Sequence, residues 1–399
     1  MAWLVPENML DDQQRDFVEN IDINQRNVWI KGFPGSGKSV LLAYTLKRIR
    51  RQTPSAKVAV VVFTRSLITM FKAAFAEMGV SANIMTYYEL LKSSSDYDYV
   101  LSDEIQDMTD RVLTTMNNKA KHVIVAGDEN QSIYDSDPKY REPTVSPTQI
   151  TSLLNCRDFE LGIIHRLSSS IIAAVEKFMP NMNIFSARRD MTKQTTQIRL
   201  CTANSAEQEA KYIMREAQKA VNVGDTVAIL IPTQQKILEF FQIALTALGK
   251  SKWSVQLNSW GKVDYNKLNS YLSSNGVKMQ YVGNGFGSFS EGGGKINVMT
   301  YHSSKGLDFD NVFLPGLSQS LYINSNERLS RTLFMVAMTR SRNNLYLTYS
   351  GSQSAYLSNF SRDCSHINVS DVLNGQNSIA SGNSCLLYTS PSPRDRSLS

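Results

Sequence analysis

Eight residues constrain this chain more than any others: Gly32-Phe33-Pro34-Gly35-Ser36-Gly37-Lys38-Ser39, which fit G-x-x-x-x-G-K-[ST]. A strand-like run, Asn27-Val28-Trp29-Ile30-Lys31, precedes them. A helical pattern from Lys38 to Arg50 follows, with Val40, Leu41, Tyr44 and Ile49 on one side. In that context the glycines let backbone N–H groups turn inward around a phosphate, and the helix N-terminus adds partial positive charge. Lys38 is expected to reach the β- and γ-phosphates and the Ser39 hydroxyl to sit on Mg²⁺. The nucleotide-binding set is therefore Gly32, Pro34, Gly35, Ser36, Gly37, Lys38 and Ser39.

Such a loop needs an acid at a neighbouring strand end to hold the metal. Asp103-Glu104 follows the apolar run Tyr99-Val100-Leu101. Asp103 is the expected metal residue and Glu104 the group that polarises the attacking water. The segments Lys57 to Thr64, Tyr97 to Ser102 and His122 to Ala126 also read as strands. In a second block, Gln197 to Cys201, Thr226 to Ile231, Ile296 to Thr300 and Leu345 to Thr348 read as strands. There Ala206 to Lys219 and Gln234 to Leu248 read as helices, and Gly283 to Gly294 as a loop. Strands alternating with helices predict an α/β fold of two lobes, each a mostly parallel sheet with helices on both faces. The spacing divides the chain into lobes at 1–152 and 153–350, with a weakly ordered tail over 351–384.

Composition excludes several classes. Hydrophobic residues make up 42% of the 399 and charged residues 20%, which is not the balance of a disordered chain. No apolar run approaches the roughly 20 residues that span a bilayer, and the first residues lack a signal-peptide pattern. Cys156, Cys201, Cys364 and Cys385 form no C-x-x-C pair, so neither a disulfide framework nor a zinc site is expected and a reducing cytoplasm is the default. A net charge of +6 permits a polyanionic partner without requiring one. The stretch from Cys385 to Asp395 back-translates, codon by codon, into a common transposon-adapter sequence. Residues 385–399 are accordingly read as an adapter artefact.

Several further segments occur in a fixed order. Asp103-Glu104-Ile105-Gln106-Asp107 and Gly127-Asp128-Glu129-Asn130-Gln131-Ser132-Ile133-Tyr134 resemble motifs II and III of UvrD/Rep-type superfamily 1 DNA helicases. Leu10-Asp11-Asp12-Gln13-Gln14 resembles the adenine-reading glutamine motif. Val62-Phe63-Thr64-Arg65 resembles motif Ia, and Met85-Thr86-Tyr87 stands where motif Ib belongs. Ile164-His165-Arg166-Leu167-Ser168 is similar to motif IV, Thr300 to Phe309 to motif V, and Val336-Ala337-Met338-Thr339-Arg340-Ser341 to motif VI. The resemblance covers Leu10 to Thr348 and implies two RecA-like lobes with ATP and Mg²⁺ in the cleft between them. By it, Gln14 and His165 would contact the adenine and Asp308 the nucleotide. Gln131 would sense the γ-phosphate, and Arg166 and Arg340 would act as arginine fingers. Phe63, Thr64, Thr86, Tyr87, Tyr134, Thr300 and His302 would touch single-stranded DNA. Core packing is an equal alternative for Phe63, Tyr87 and Tyr134.

The chain departs from that family at several points. His165 replaces the usual tyrosine, Asp308 the commoner glutamate, and Asp135-Ser136-Asp137-Pro138 the usual continuation of motif III. Only about ten residues separate Tyr87 from Asp98, and Tyr281-Val282-Gly283 leads almost directly into motif V, so both accessory domains of the family are expected to be missing. The resemblance implies a monomeric, cytoplasmic ATP-driven motor, of a prokaryotic or phage-infected cell, moving 3′→5′ on single-stranded DNA. RNA remains open as the polymer. A nucleotide-gated DNA-binding subunit of a larger complex, with a protein partner supplying unwinding or loading, is the alternative.

Overall fold

The computed structural model describes residues 4–128, 132–134, 136–137, 139–182, 188–189, 195–287 and 294–375. Gln131 and residues 385–399 lie outside them. The strands, in chain order, are β1 Val28–Gly32, β2 Val58–Val62, β3 Asn83–Thr86, β4 Tyr97–Ser102, β5 Ala120–Gly127 and β6 Arg157–Leu161. They continue as β7 Ile163–Ile164, β8 Arg188–Arg189, β9 Gln197–Ala203, β10 Val227–Ile231, β11 Met279–Tyr281, β12 Ile296–Thr300, β13 Phe309–Leu314, β14 Ser341–Ser350 and β15 Ser365–Asn368.

Two large parallel sheets result, ordered β3-β2-β4-β5-β1-β6 and β11-β12-β10-β13-β14-β9-β15, with β7 and β8 as a separate parallel pair. Their central strands are apolar throughout: Val58–Val62 and Val227–Ile231 are buried at every position. Such runs need cover on both faces, and each sheet separates two apolar clusters. In the first lobe Val28, Ile30, Val60 and Val62 face one cluster, while Trp29, Ala59 and Val61 face the other. The second lobe divides in the same way around β10.

Parallel strands place all their C-terminal ends on one rim of each sheet, which is where ligands bind in such folds. On the first rim lie the loop after β1, Asp103 after β4 and Asp128 after β5. On the second, Ile231 of β10 is in register with Thr300 of β12.

Two boundaries differ from the sequence reading. A division at 152 falls inside the first lobe, because β6 pairs with β1 from Val28↔Arg157 to Gly32↔Leu161. Arg157-Asp158-Phe159-Glu160-Leu161 alternates exposure at a sheet edge, a pattern weaker than that of a buried strand. The segment after 350 is not a loose tail up to residue 375. There β15 extends the second sheet beside β9, and Leu357, Phe360 and Val369 are buried. Three apolar anchors in a Ser/Asn-rich stretch produce little periodicity, although they suffice to dock it.

Candidate nucleotide site and nucleic-acid face

The phosphate loop is shaped by Gly35 (φ +77°) and Gly37 (φ +94°), a left-handed conformation that side chains disfavour. A Cβ on Gly35 would also stand 2.5 Å from Arg166 Cβ, so this turn serves close approach as well. The Gly35 carbonyl accepts from the backbone N–H groups of His165 (2.9 Å) and Arg166 (3.1 Å), which docks the motif IV segment onto the loop. Gln14 helps to close the loop from the other side. Its side chain donates to Ser36 O at 2.9 Å, while it completes a capping box with Asp11 at the start of helix Asp12–Asn20.

Lys38 folds back on the loop, donating to Gly32 O (2.8 Å) and Phe33 O (3.0 Å). Burial drives its ammonium below the ordinary value, against the pull of Asp128, Glu104 and Asp103. Ser39 Oγ donates to Asp103 Oδ2 at 2.5 Å, a serine and a carboxylate brought together from separate strand ends. Burial, with Glu104 next, raises the Asp103 carboxyl to about 6. That pair fits Mg²⁺, a hard cation that takes one or two protein oxygens and keeps its waters. The loop fits a polyphosphate as well, since Ser36 Oγ and Arg166 Nε are buried with no partner among the described residues.

Glu104 occupies the left-handed region (φ +55°), which turns its side chain away from the line of β4. Gln106 Nε2 donates to Glu104 Oε2 at 2.6 Å, and Gln106 Oε1 accepts from Asp128 N at 3.1 Å. Burial works against the Glu104 charge, yet Lys305, Lys38, Gln106 and Arg340 together hold the carboxyl below its ordinary value. It is ionised at neutral pH, as a group accepting a proton from water must be.

The second lobe supplies two cations to this site. Arg340, 2% exposed, is gripped by its own lobe: Nε donates to Val336 O (2.8 Å), Nη1 to Leu307 O (3.1 Å) and Nη2 to Thr339 Oγ1 (3.0 Å). A guanidinium has five donors, so each terminal nitrogen keeps a hydrogen. Burial and Arg166 bring it down to about 9 while Glu104 and Asp308 oppose them. Glu104 and Asp308 act on Arg166 in the same sense, so both guanidiniums lie between Glu104 of the first lobe and Asp308 of the second. Arg166 belongs to the crossover between lobes, its neighbours Ile164 and Leu167 lying in the second-lobe core. His165 turns its ring nitrogen Nε2 to Asp11 Oδ2 at 2.5 Å, beside the glutamine motif.

The other cation, Lys305, had no role in the sequence reading. It is 4% exposed and bonds to Asp107 Oδ2 and, at 3.3 Å, to Glu104 Oε2. Asp107 also accepts from Ile133 N at 3.0 Å, which ties motifs II, III and V together. The K-G of motif V was visible in the sequence, but its partner stands 198 positions away. Nearby, a Cβ on Gly306 would come within 2.7 Å of Leu67 Cδ2, so the lobes meet closely here.

The proposed nucleic-acid residues divide. Rings run in contact from His302 through Tyr134 (5.4 Å), Phe63 (4.7 Å), Tyr87 (5.1 Å) and Tyr88 (4.0 Å) to Tyr140 (5.6 Å). Tyr87 is 2% exposed and donates to Asp137 Oδ2 at 2.5 Å, so packing takes it out of the base-stacking set. Asp137 belongs to the segment that replaces the family's usual continuation, and it explains why Tyr87 turns inward. Phe63, Tyr134 and His302 are half-buried. Thr64 and Thr86 cap helices, accepting from Leu67 N and Glu89 N, and Thr300 Oγ1 accepts from Ser303 N at 3.0 Å.

Two family models match this chain: AAA domain over residues 14–137 and UvrD-like helicase C-terminal domain over residues 277–352. They fall on opposite sides of the cleft, one on each lobe. These matches, with relatives named DNA helicase II and Rep, support a UvrD/Rep-type superfamily 1 helicase. Among curated relatives, the RecBCD enzyme subunit RecB of Chlamydia pneumoniae is 43% identical over 63 residues, 16% of this chain and 6% of that protein. The ATP-dependent DNA helicase Rep of Buchnera aphidicola is 39% identical over 61 residues, 14% of this chain and 9% of its own length. The chain thus matches less than a tenth of the length of either relative. The arterivirus nonstructural protein 10 helicase superposes over 84% of this chain and 61% of its own, with a TM-score of 0.42 and 14% identity. In this UvrD-like chain, helix Tyr87–Lys92 runs almost directly into β4, where the family's first accessory domain is expected.

Proposed function

We propose that the chain is an ATP-driven motor that moves 3′→5′ along single-stranded DNA. The observation that carries this reading is that Arg340, from the second lobe, acts on Glu104 of the first, the carboxylate that stands beside Lys38 and Asp103. Phosphoryl transfer requires little covalent help from a protein; its barrier falls when fixed charges meet the charge that spreads over the phosphoryl oxygens. In the proposed cycle Gln14 and His165 hold the base edge of ATP, and Asp308 contacts the same nucleotide. Lys38 leaves the loop carbonyls for the β- and γ-phosphates, and Gln131 senses the γ-phosphate. Bound Mg²⁺, held by Ser39 and Asp103, would neutralise β- and γ-oxygen charge. Glu104 accepts the proton of the attacking water, with Gln106 and Lys305 fixing its oxygens. Arg166 and Arg340 stabilise the leaving charge only while the lobes are closed. Loss of the γ-phosphate then loosens the cleft, and alternation of grip between lobes becomes a step along the strand.

DNA as the polymer is supported by the named relatives. The test is ATP hydrolysis by the purified chain with single-stranded DNA, single-stranded RNA and no polymer. Stimulation of at least about tenfold by DNA alone is expected; equal rates in all three would refute a DNA motor. The missing first accessory domain favours a second reading, a DNA-binding ATPase subunit of a larger complex. Robust strand displacement by the chain alone would exclude it.

A further inference from the structure

The second lobe carries a short hairpin that neither the helicase motifs nor the matched family models include. Between helix Gln234–Ala247 and helix Tyr265–Ser274, Leu257 and Val263 form an antiparallel bridge, and Asp264 N donates to Gln256 O at 2.8 Å. Asn258 builds the turn. Its backbone N–H donates to Lys262 O (2.7 Å), and its side-chain oxygen accepts from Trp260 N (2.9 Å) and Lys262 N (3.1 Å). This turn presents Trp260 at its tip, 82% exposed, with Val255 and Leu257 exposed below it.

The base of the hairpin is held firmly. Gln242 bonds Trp253 twice through the backbone, at 2.8 and 3.1 Å, Trp253 itself is buried, and Tyr271 OH donates to Ser251 O at 2.7 Å. A fixed arm ending in a bare indole is expensive in water, because large exposed apolar groups on fixed elements are usually there for a partner. Exposed Lys262 stands beside the tip and exposed Lys252 at the base, and the segment 250–263 holds no acidic residue. Indole beside ammonium suits a nucleobase beside its phosphate.

The arm also sits on the appropriate rim. Tyr265, directly after it, stacks on Tyr281 at 4.0 Å. A Cβ on the neighbouring Gly283 would stand 2.9 Å from Ser303 Oγ, which is the partner of Thr300. The path from hairpin to motif V therefore runs along the strand ends where the polymer is proposed to lie.

We propose that this hairpin is an additional binding arm for single-stranded nucleic acid, with Trp260 stacking on a base and Lys252 and Lys262 meeting the adjoining phosphates. The proposal rests on the reading of the chain as a single-strand motor and adds a contact outside the helicase motifs.

Tryptophan emission of the full chain, titrated with an oligothymidylate at several salt concentrations, tests it. Saturation should quench the wild-type signal. Trp260→Ala should lose most of that quench and bind about tenfold more weakly, within the range of single-base stacking. Trp260→Phe should recover affinity to within about threefold. Replacing Lys252 and Lys262 with Gln should lower the salt slope by up to about two. The urea midpoint of Trp260→Ala should match wild type, because the Trp260 side chain is largely exposed. Unchanged oligothymidylate affinity in Trp260→Ala overturns the arm, including the case where that variant loses only a protein partner. If the wild type hydrolyses no ATP but keeps Trp260-dependent binding, the motor reading falls and the arm stands. A wild type that binds no oligothymidylate refutes both.

Discussion

At the nucleotide end of the cleft, polar groups stand ready and incomplete: among the described residues Ser36 Oγ and Arg166 Nε are buried without partners, and Arg340 keeps a hydrogen on each terminal nitrogen. At the nucleic-acid end the reverse holds. Thr64, Thr86 and Thr300 already use their side-chain oxygens in caps and turns, and Tyr87 is locked to Asp137. A site for a small charged ligand is built in advance, because its orphaned donors are costly until the ligand arrives. The proposed polymer face is satisfied without its ligand, and binding there would fall to half-buried rings such as Tyr134 and His302. Lys305 stands between the two ends, three residues from His302 and in contact with Glu104. This places it where polymer binding and chemistry can be felt together.

The largest expected effect is at the prepared end. Glu104→Gln should bind ATP with unchanged affinity and lose about 10²–10⁴ in kcat, the usual worth of a positioned base. Normal turnover would remove Glu104 from that role. Next comes the junction. Lys305→Met leaves Asp107 buried without its cation and Glu104 with only Lys38 and Arg340, and should cost about 3–5 kcal/mol in urea unfolding. A loss below about 1 kcal/mol would mean the lobes are not joined there.

The smallest effect belongs to the polymer end. Burial, with Lys305 nearby, holds His302 down at about 4, against an ordinary 6.5. Between those values the unfolded chain binds the extra proton, so this residue's contribution to stability is present above pH 6.5 and is lost as pH falls toward 4. Replacing His302 with Gln should flatten that part of the stability profile, by on the order of 3 kcal/mol. An identical profile in the variant would show that His302 is not held neutral by the cleft.

The sequence made the strands around the phosphate loop legible because their signal is local. β4 and β12 fall at the expected residues, and β1 within one. It did not reveal β6 or β15, whose membership of a sheet depends on distant partners rather than on a continuous apolar run. The same distinction runs through the site. Gly35, Lys38, Ser39 and Asp103 were readable from a loop and a strand end, whereas the Lys305 bridge joins residues that meet only after both lobes have folded. For Tyr87 the sequence left base stacking and core packing equal, and only packing decides between them: Thr86-Tyr87-Tyr88-Glu89 forms a capping box, and Tyr87 is buried against Asp137.

The central claim, that a cation from the far lobe completes the phosphate site, is tested most directly by titrating wild type and Arg340→Ala with ADP and with ADP–aluminium fluoride. Wild type should prefer the transition-state analogue by at least about 10²-fold. Arg340→Ala should lose most of that preference while its ADP affinity changes by less than about threefold. An undiminished preference in the variant would contradict the account.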